Sequence, residues 1–119
     1  MLLVGTDLIE VARVAQKLEK ESFVQRVFGK EERAELAAKN FPAQSAAVCF
    51  CAKEAFGKAM GTGLTGFDLE DVQLLHKPGG QPYLALSGKA AELARGIEFA
   101  VSAAHTKDYA TVTVVGEKL

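Results

Sequence analysis

The sequence predicts an α+β fold, because two hydrophobic periods occupy different halves of the chain. Apolar residues recur at helical spacing from Leu8 to Leu18 and again along residues 43–60, whereas beyond Gly63 they alternate or run in short blocks, as strands do. Turn formers supply the third observation: Pro42, Gly63, Pro78-Gly79-Gly80 and Gly96 fall between the periodic stretches. With 119 residues, 49% of them apolar and 24% charged, the chain has the size and composition of one domain, 1–119, closing one core.

In chain order, "LLVGT" (2–6) reads as a short buried strand. "TDLIEVARVAQKLEKE" (6–21) reads as a helix opened by Asp7, with Glu10 three residues on as in a capping box. Gly29 breaks "FVQRVFGKEERAELAAKN" into two helical pieces, and "NFPAQ" separates these from a long helix over 43–60. "FDLEDVQLLHK" and "QPYLALS" read as strands around the turn "KPGGQ". "SGKAAELARG" reads as a short helix capped by Ser87 and stopped by Gly96. "IEFAVSAAH" and "YATVTVV" form a hairpin around "TKD", with Ile97, Phe99, Val101 and Ala103 on one face. No repeat, linker or low-complexity tract interrupts this order.

A formal net charge of −1 gives no global positive field for nucleic acid or an anionic membrane, so any anion is bound locally. No apolar run approaches the ~20 residues of a spanning helix. The N-terminus reaches Asp7 without a basic segment, and the expected location is cytosolic. Cys49 and Cys51 are two residues apart on the long helix, where an advance of about 100° per residue turns their side chains apart. They read as small buried hydrophobes rather than as a disulfide or a chelating pair.

The chemistry-bearing residues centre on "AKEAFGKAMGTG" (52–63). On a helical wheel Val48, Ala52, Ala55, Phe56 and Ala59 form one stripe. Ala47, Glu54, Lys58 and Gly61 share the opposite face, which Phe50 and Cys51 make apolar as well. Taken alone, Glu54 and Lys58 read as a solvated i,i+4 ion pair, Asp7 as a helix cap, Gly61 and Gly63 as a C-cap, and the lone His105 as a structural hydrogen-bonder. His76, beside a turn, reads as surface. A carboxylate inside an apolar face nonetheless needs a cation or donors. Asp7 together with Glu54 would offer two hard oxygen ligands of the kind that hold Mg²⁺ through waters and a substrate phosphate. The segment is not a P-loop, since its lysine precedes the glycines near a helix end.

"GTDLIEVARV", "FCAKEAFGKAMGTG" and "VSAAHTKDYATVTVV", in that order and spanning the chain, together resemble the bacterial holo-acyl-carrier-protein synthases, the short trimeric branch of the 4′-phosphopantetheinyl transferases. The resemblance implies the fold of that superfamily, an antiparallel sheet packed with a long central helix and shorter N-terminal helices. It implies Mg²⁺-dependent transfer of the phosphopantetheine arm of coenzyme A to a serine of apo-acyl carrier protein in fatty-acid and lipid biosynthesis, with release of adenosine 3′,5′-bisphosphate. By the same resemblance Asp7 and Glu54 hold the metal and Lys58 donates to the phosphates. The serine proton goes to Glu54 or to a water it orients. Gly61, Thr62, Gly63 and His105 lie near the nucleotide, while Arg13 and Arg26 meet the carrier protein. A homotrimer with sites at subunit boundaries is implied, one apolar face of the long helix packing inside its subunit and the other lining the shared site.

The chain departs from the family pattern at three places. Cys49 stands where the family usually has Arg, Ala104 replaces the Ser before the histidine, and Ser22 lies where relatives can carry a basic residue. The departures leave a second reading, a non-catalytic module that binds coenzyme A or the carrier protein without transfer.

Overall fold

The computed structural model describes residues 1–119. Strand β1 (Leu2–Glu10) is followed by helices α1 (Val11–Lys17), α2 (Glu21–Val27), α3 (Lys30–Ala38) and α4 (Ala43–Met60). A 3-10 turn at Leu69–Asp71 leads into the hairpin of β2 (Val72–His76) and β3 (Pro82–Leu86), and helix α5 (Gly88–Leu93) into a second hairpin, β4 (Ile97–His105) and β5 (Tyr109–Lys118). The first and last strands pair, giving an antiparallel sheet of order β1-β5-β4, with β2-β3 as a separate two-stranded sheet. No helix is long and apolar enough to cross a membrane.

The strand at the N-terminus runs further than its sequence suggests. Asp7 does not open a helix: it lies inside β1, opposite Val112 in a register that continues from Leu2↔Glu117 to Glu10↔Tyr109. Helix α1 begins at Val11, and neither Asp7 nor Glu10 forms a side-chain cap there. Pairing with a strand a hundred residues away overrides the local helical period, as ladder hydrogen bonds and cross-strand contacts outweigh propensity. Nor is the strand buried on both sides. Leu2, Val4 and Leu8 project from the outer face at 65%, 61% and 67% exposure, while Gly5 faces α4 so closely that a β-carbon would overlap the Ala55 carbonyl.

Helix α4 spans the expected residues and is the axis of the core. Ala47, Val48, Phe50, Cys51, Ala52, Ala55 and Ala59 are buried, together with Val112 and Val114 of β5 and Val14 of α1. The apolar residues of both faces of this helix are covered within one chain, while the Glu54–Lys58 end of the second face stays open. Its half-buried Glu54 and exposed Lys58 are the polar side chains that emerge beside β1. Cys49 and Cys51 are buried free thiols, as expected. Ser87 precedes α5 but its hydroxyl bonds Asp71 Oδ1 at 2.9 Å instead of capping the helix.

One polar feature inside this core is not legible in the sequence. Lys53 and Glu32, both fully buried, pair at 2.7 Å. The Lys53 ammonium also donates to the Val72 carbonyl, while the Glu32 carboxylate accepts from the backbone N–H of Gly29 at 3.0 Å and of Leu74 at 2.8 Å. Burial pushes the Glu32 carboxyl above its ordinary range, and Lys53 and these donors pull it back. The pair ties α3, α4 and β2 together. Lys53 sits four residues after Cys49 and three before Phe56, an apolar stripe on which a lone cation demands a buried partner.

Candidate active site

The register of β1 places the Asp7 side chain on the sheet face that meets α4, and the helical repeat places Glu54 and Lys58 one turn apart opposite it. These three line one cleft of about 330 Å³ with Arg13, Lys17 and Phe50. Lys58 pairs with Asp7, Nζ to Oδ1 at 2.9 Å, rather than with Glu54. Solvated i,i+4 pairing is thus replaced by a contact between two elements 51 residues apart. The side chain of Asp7 is largely covered, at 16% exposure against 52% for Lys58, so the ion pair is anchored on the strand and open at the lysine.

Support for Asp7 comes from behind. Thr111 Oγ1 donates to its carbonyl at 2.8 Å, and the Cys51 thiol lies 3.2 Å from the same oxygen and 3.5 Å from Oδ2. Burial and the Asp7 charge push the Cys51 thiol up to about 12, so it stays protonated and can act as a donor. Partial burial, then the charge of Asp7, raises the Glu54 carboxyl above its ordinary value, while Lys58 and Lys17 oppose the shift. The Lys58 ammonium is raised in turn by its bond to Asp7.

Glu54 makes no ion pair. Two carboxylates that repel each other across a cleft form a donor set that suits a hard dication completing its shell with water and phosphate oxygens. No group of three or more His, Cys, Asp or Glu side chains is placed to enclose an ion. A metal here would accordingly rest on Asp7 and Glu54, and the residues fit Mg²⁺ in that role.

The remaining expected residues are distributed around this cleft. Arg13 lines it, whereas Arg26 lies in an adjoining groove with Lys17, Lys20 and Phe23. Gly61, at φ 76°, caps α4, and the N–H groups of Thr62 and Gly63 bond the Gly57 carbonyl at 3.0 and 3.1 Å. This glycine turn follows Lys58 but does not line the cleft. His105 is also apart: it borders a separate cavity of about 240 Å³ with Glu35, Lys39, Cys49 and His76, and sits beside Leu8, Ala104 and Tyr109 at the edge of the sheet. His76 is exposed and pairs with Glu35 at 2.9 Å. Lys17, which no sequence motif singles out, enters the cleft because α1 starts only at Val11 and turns that position toward Phe50.

Residues 3–114 match the family model of the 4′-phosphopantetheinyl transferase superfamily. The chain belongs to that superfamily. Within it the chain falls with the holo-[acyl-carrier-protein] synthases, a class of enzymes. It is 41% identical over 123 residues to the holo-[acyl-carrier-protein] synthase of Caldanaerobacter subterraneus subsp. tengcongensis, covering 98% of this chain and 97% of that one. It is 44% identical over 119 residues to the protein of the same name from Syntrophotalea carbinolica, covering 95% and 93%. Among solved structures, the holo-[acyl-carrier-protein] synthase of Neisseria meningitidis superposes with a TM-score of 0.88 at 29% identity, covering 98% of both chains. An ACPS–CoA complex from Chronobacterium ammoniagenes superposes at 0.85 with 26% identity, covering 100% of this chain and 98% of that one. The expected α+β fold, long central helix included, is the fold of these proteins.

Proposed function

We propose that this chain, as one domain over residues 1–119, transfers the 4′-phosphopantetheine arm of coenzyme A to a serine of an apo-acyl carrier protein. The observation that carries this reading is the convergence of Asp7, Glu54 and Lys58, from β1 and α4, in one cleft. The activity for which its relatives are named, and the complex that the Chronobacterium protein forms with coenzyme A, support the choice of substrates.

In the proposed reaction the serine oxygen forms a bond to the phosphorus that carries pantetheine. The bond from that phosphorus to the bridging oxygen breaks, and the bridging oxygen leaves on adenosine 3′,5′-bisphosphate. Asp7 and Glu54 would hold Mg²⁺, which supplies neutralising charge to the pyrophosphate when bound. Lys58, half exposed and fixed at one end of the cleft by Asp7, donates to phosphate oxygens on which charge accumulates. Glu54, or a water it orients, takes the serine proton. Arg13 and Arg26 present positive charge to the carrier protein around the cleft mouth.

The outer face of β1 motivates a homotrimer. Leu2, Val4 and Leu8 are exposed apolar side chains on one strand face, and a second copy of the chain is the occupant the resemblance implies. In that assembly His105, at the sheet edge beside Leu8, would reach the nucleotide in a neighbour's cleft, and the Gly61–Gly63 turn would border it. The location proposed is the cytoplasm, and the pathway fatty-acid and lipid synthesis.

Intact-mass spectrometry tests the reaction. An apo-acyl carrier protein incubated with the chain, coenzyme A and Mg²⁺ gains the mass of one phosphopantetheine, and EDTA prevents the gain. Binding of coenzyme A without mass gain on several carriers would instead favour a non-catalytic module and direct attention to Cys49 and Ala104.

A further inference from the structure

The two oxygens of the Asp7 carboxylate face different surroundings. Oδ2 turns toward the Cys51 thiol at 3.5 Å, and Cys51 is fully buried. Oδ1 carries the Lys58 ammonium at 2.9 Å. With 16% of its side chain exposed, Asp7 offers the cleft little beyond Oδ1, and Lys58 occupies that oxygen. This is the one hydrogen bond and the one ion pair that the Lys58 side chain makes, and about half of that side chain lies in solvent. The ammonium can therefore leave by rotating its stem, and the group it uncovers is the carboxylate itself. Glu54, one turn earlier on α4, has no ion pair that would have to break.

We propose that Lys58 is a placeholder on the metal carboxylate and thereby couples metal binding to coenzyme A binding: it neutralises Asp7 until a phosphate draws it away. The inference rests on the transfer reaction proposed above and on Mg²⁺ as the ion that Asp7 and Glu54 suit. An ammonium and a dication cannot share Oδ1 without strong mutual repulsion, so Lys58 gives up Asp7 when the ion is held. Its best remaining partner in the cleft is then a phosphate oxygen. Conversely, a pyrophosphate that attracts Lys58 leaves Asp7 as an unpaired charge in a largely covered position, which is costly unless another cation replaces the lysine. Each ligand thus prepares the site for the other, and linkage makes the effect equal in both directions. The bond that fixes Lys58 in the free protein is the bond given up. A lysine that stayed in place would behave differently, repelling the ion and attracting the phosphate by independent amounts. Its removal would change each affinity and leave the coupling between them as it was.

The test measures coenzyme A binding to the full chain by titration calorimetry, with EDTA and again at saturating Mg²⁺; the ratio of the two dissociation constants is the coupling. The parent is compared with Lys58→Met, which keeps the exposed stem without its charge. Lys17→Met is the control, since Lys17 lines the same cleft but pairs with no carboxylate. Coupling should fall about two- to fivefold in Lys58→Met, the range over which a partly exposed ion pair shifts an equilibrium, and stay at the parental value in Lys17→Met. Mg²⁺ titrated alone should bind Lys58→Met more tightly than the parent. Parental coupling in Lys58→Met overturns the proposal, as does an equal fall in Lys17→Met or Mg²⁺ binding that is no tighter without the lysine. Failure of the parent to bind coenzyme A sinks the proposed reaction and this inference with it, whereas transfer with parental coupling in Lys58→Met sinks the inference alone.

Discussion

Replacing Lys53 with Met removes the only cation paired with Glu32 and tests what the buried ion pair contributes. Both side chains are fully buried, so no water can take over the vacated position without opening the core. After the substitution Glu32 keeps its two backbone donors, Gly29 and Leu74, but loses the ammonium, and the Val72 carbonyl loses a donor. Removing one partner of a buried pair costs about 3–5 kcal/mol. At about 3–5 °C per kcal/mol for a chain of this length, the melting temperature should fall by roughly 10–25 °C.

The loss should also depend on pH. The Glu32 carboxyl is already raised above the ordinary 4.5 by burial, and losing Lys53 raises it further. An acid whose folded pKa is raised binds its proton more readily folded than unfolded. Its contribution to stability is therefore greatest below 4.5 and declines as pH rises through the folded value. The deficit of Lys53→Met relative to the parent should narrow as pH falls from 8 toward 5. Urea unfolding followed by circular dichroism at several pH values measures this. The double variant Lys53→Met with Glu32→Gln should recover part of the loss, since it removes the uncompensated buried charge while the amide oxygen still accepts from one of the two backbone N–H groups. A single-variant loss below about 1 kcal/mol, or a double variant no more stable than the single, would refute this account of the pair.

Four further outcomes follow from the same geometry. Asp7→Ala and Glu54→Ala should each abolish phosphopantetheine transfer while circular dichroism stays unchanged; near-parental turnover in either would remove it from the metal site. Lys58→Ala should lower the single-turnover rate about 10²–10³-fold if it stabilises charge in the transition state, and an unchanged rate would reject that role. Because burial and Asp7 raise the Glu54 carboxyl, protons should compete with Mg²⁺ at pH values above the ordinary 4.5; half-saturating Mg²⁺ in the transfer assay should accordingly rise as pH is lowered toward 5. Gly5→Ala should destabilise the fold by about 1–3 kcal/mol in urea titrations, because the added carbon overlaps the Ala55 carbonyl of α4.

Much of the candidate site can be named from the sequence, but not its wiring. Asp7, Glu54 and Lys58 are identified through resemblance to a family, whereas their individual spacings favour a cap and a surface pair. The structure gives Lys58 a different partner, because β1 extends past Asp7 and carries its carboxylate beneath α4. Arg13 joins the cleft while Gly61, Thr62, Gly63 and His105 lie outside it. Lys17 and Lys53 are legible only as charges on helices, since the rings and the carboxylate that give them meaning come from elsewhere in the chain.

By itself the sequence determined those features whose causes are local. Pro42 and the left-handed Gly61 bound α4 at Ala43–Met60. The Pro-Gly-Gly turn and the Thr-Lys-Asp turn set the two hairpins, and the apolar character of α4 marks it as the core helix. Tertiary structure alone decided the pairing of β1 with β5, the exposure of Leu2, Val4 and Leu8, the Lys58–Asp7 contact and the buried Lys53–Glu32 pair. Each of these joins residues at least 21 positions apart or depends on such a pairing. Such contacts form only when burial and cross-strand hydrogen bonds exceed the entropy of bringing distant segments together, a balance that no local period records.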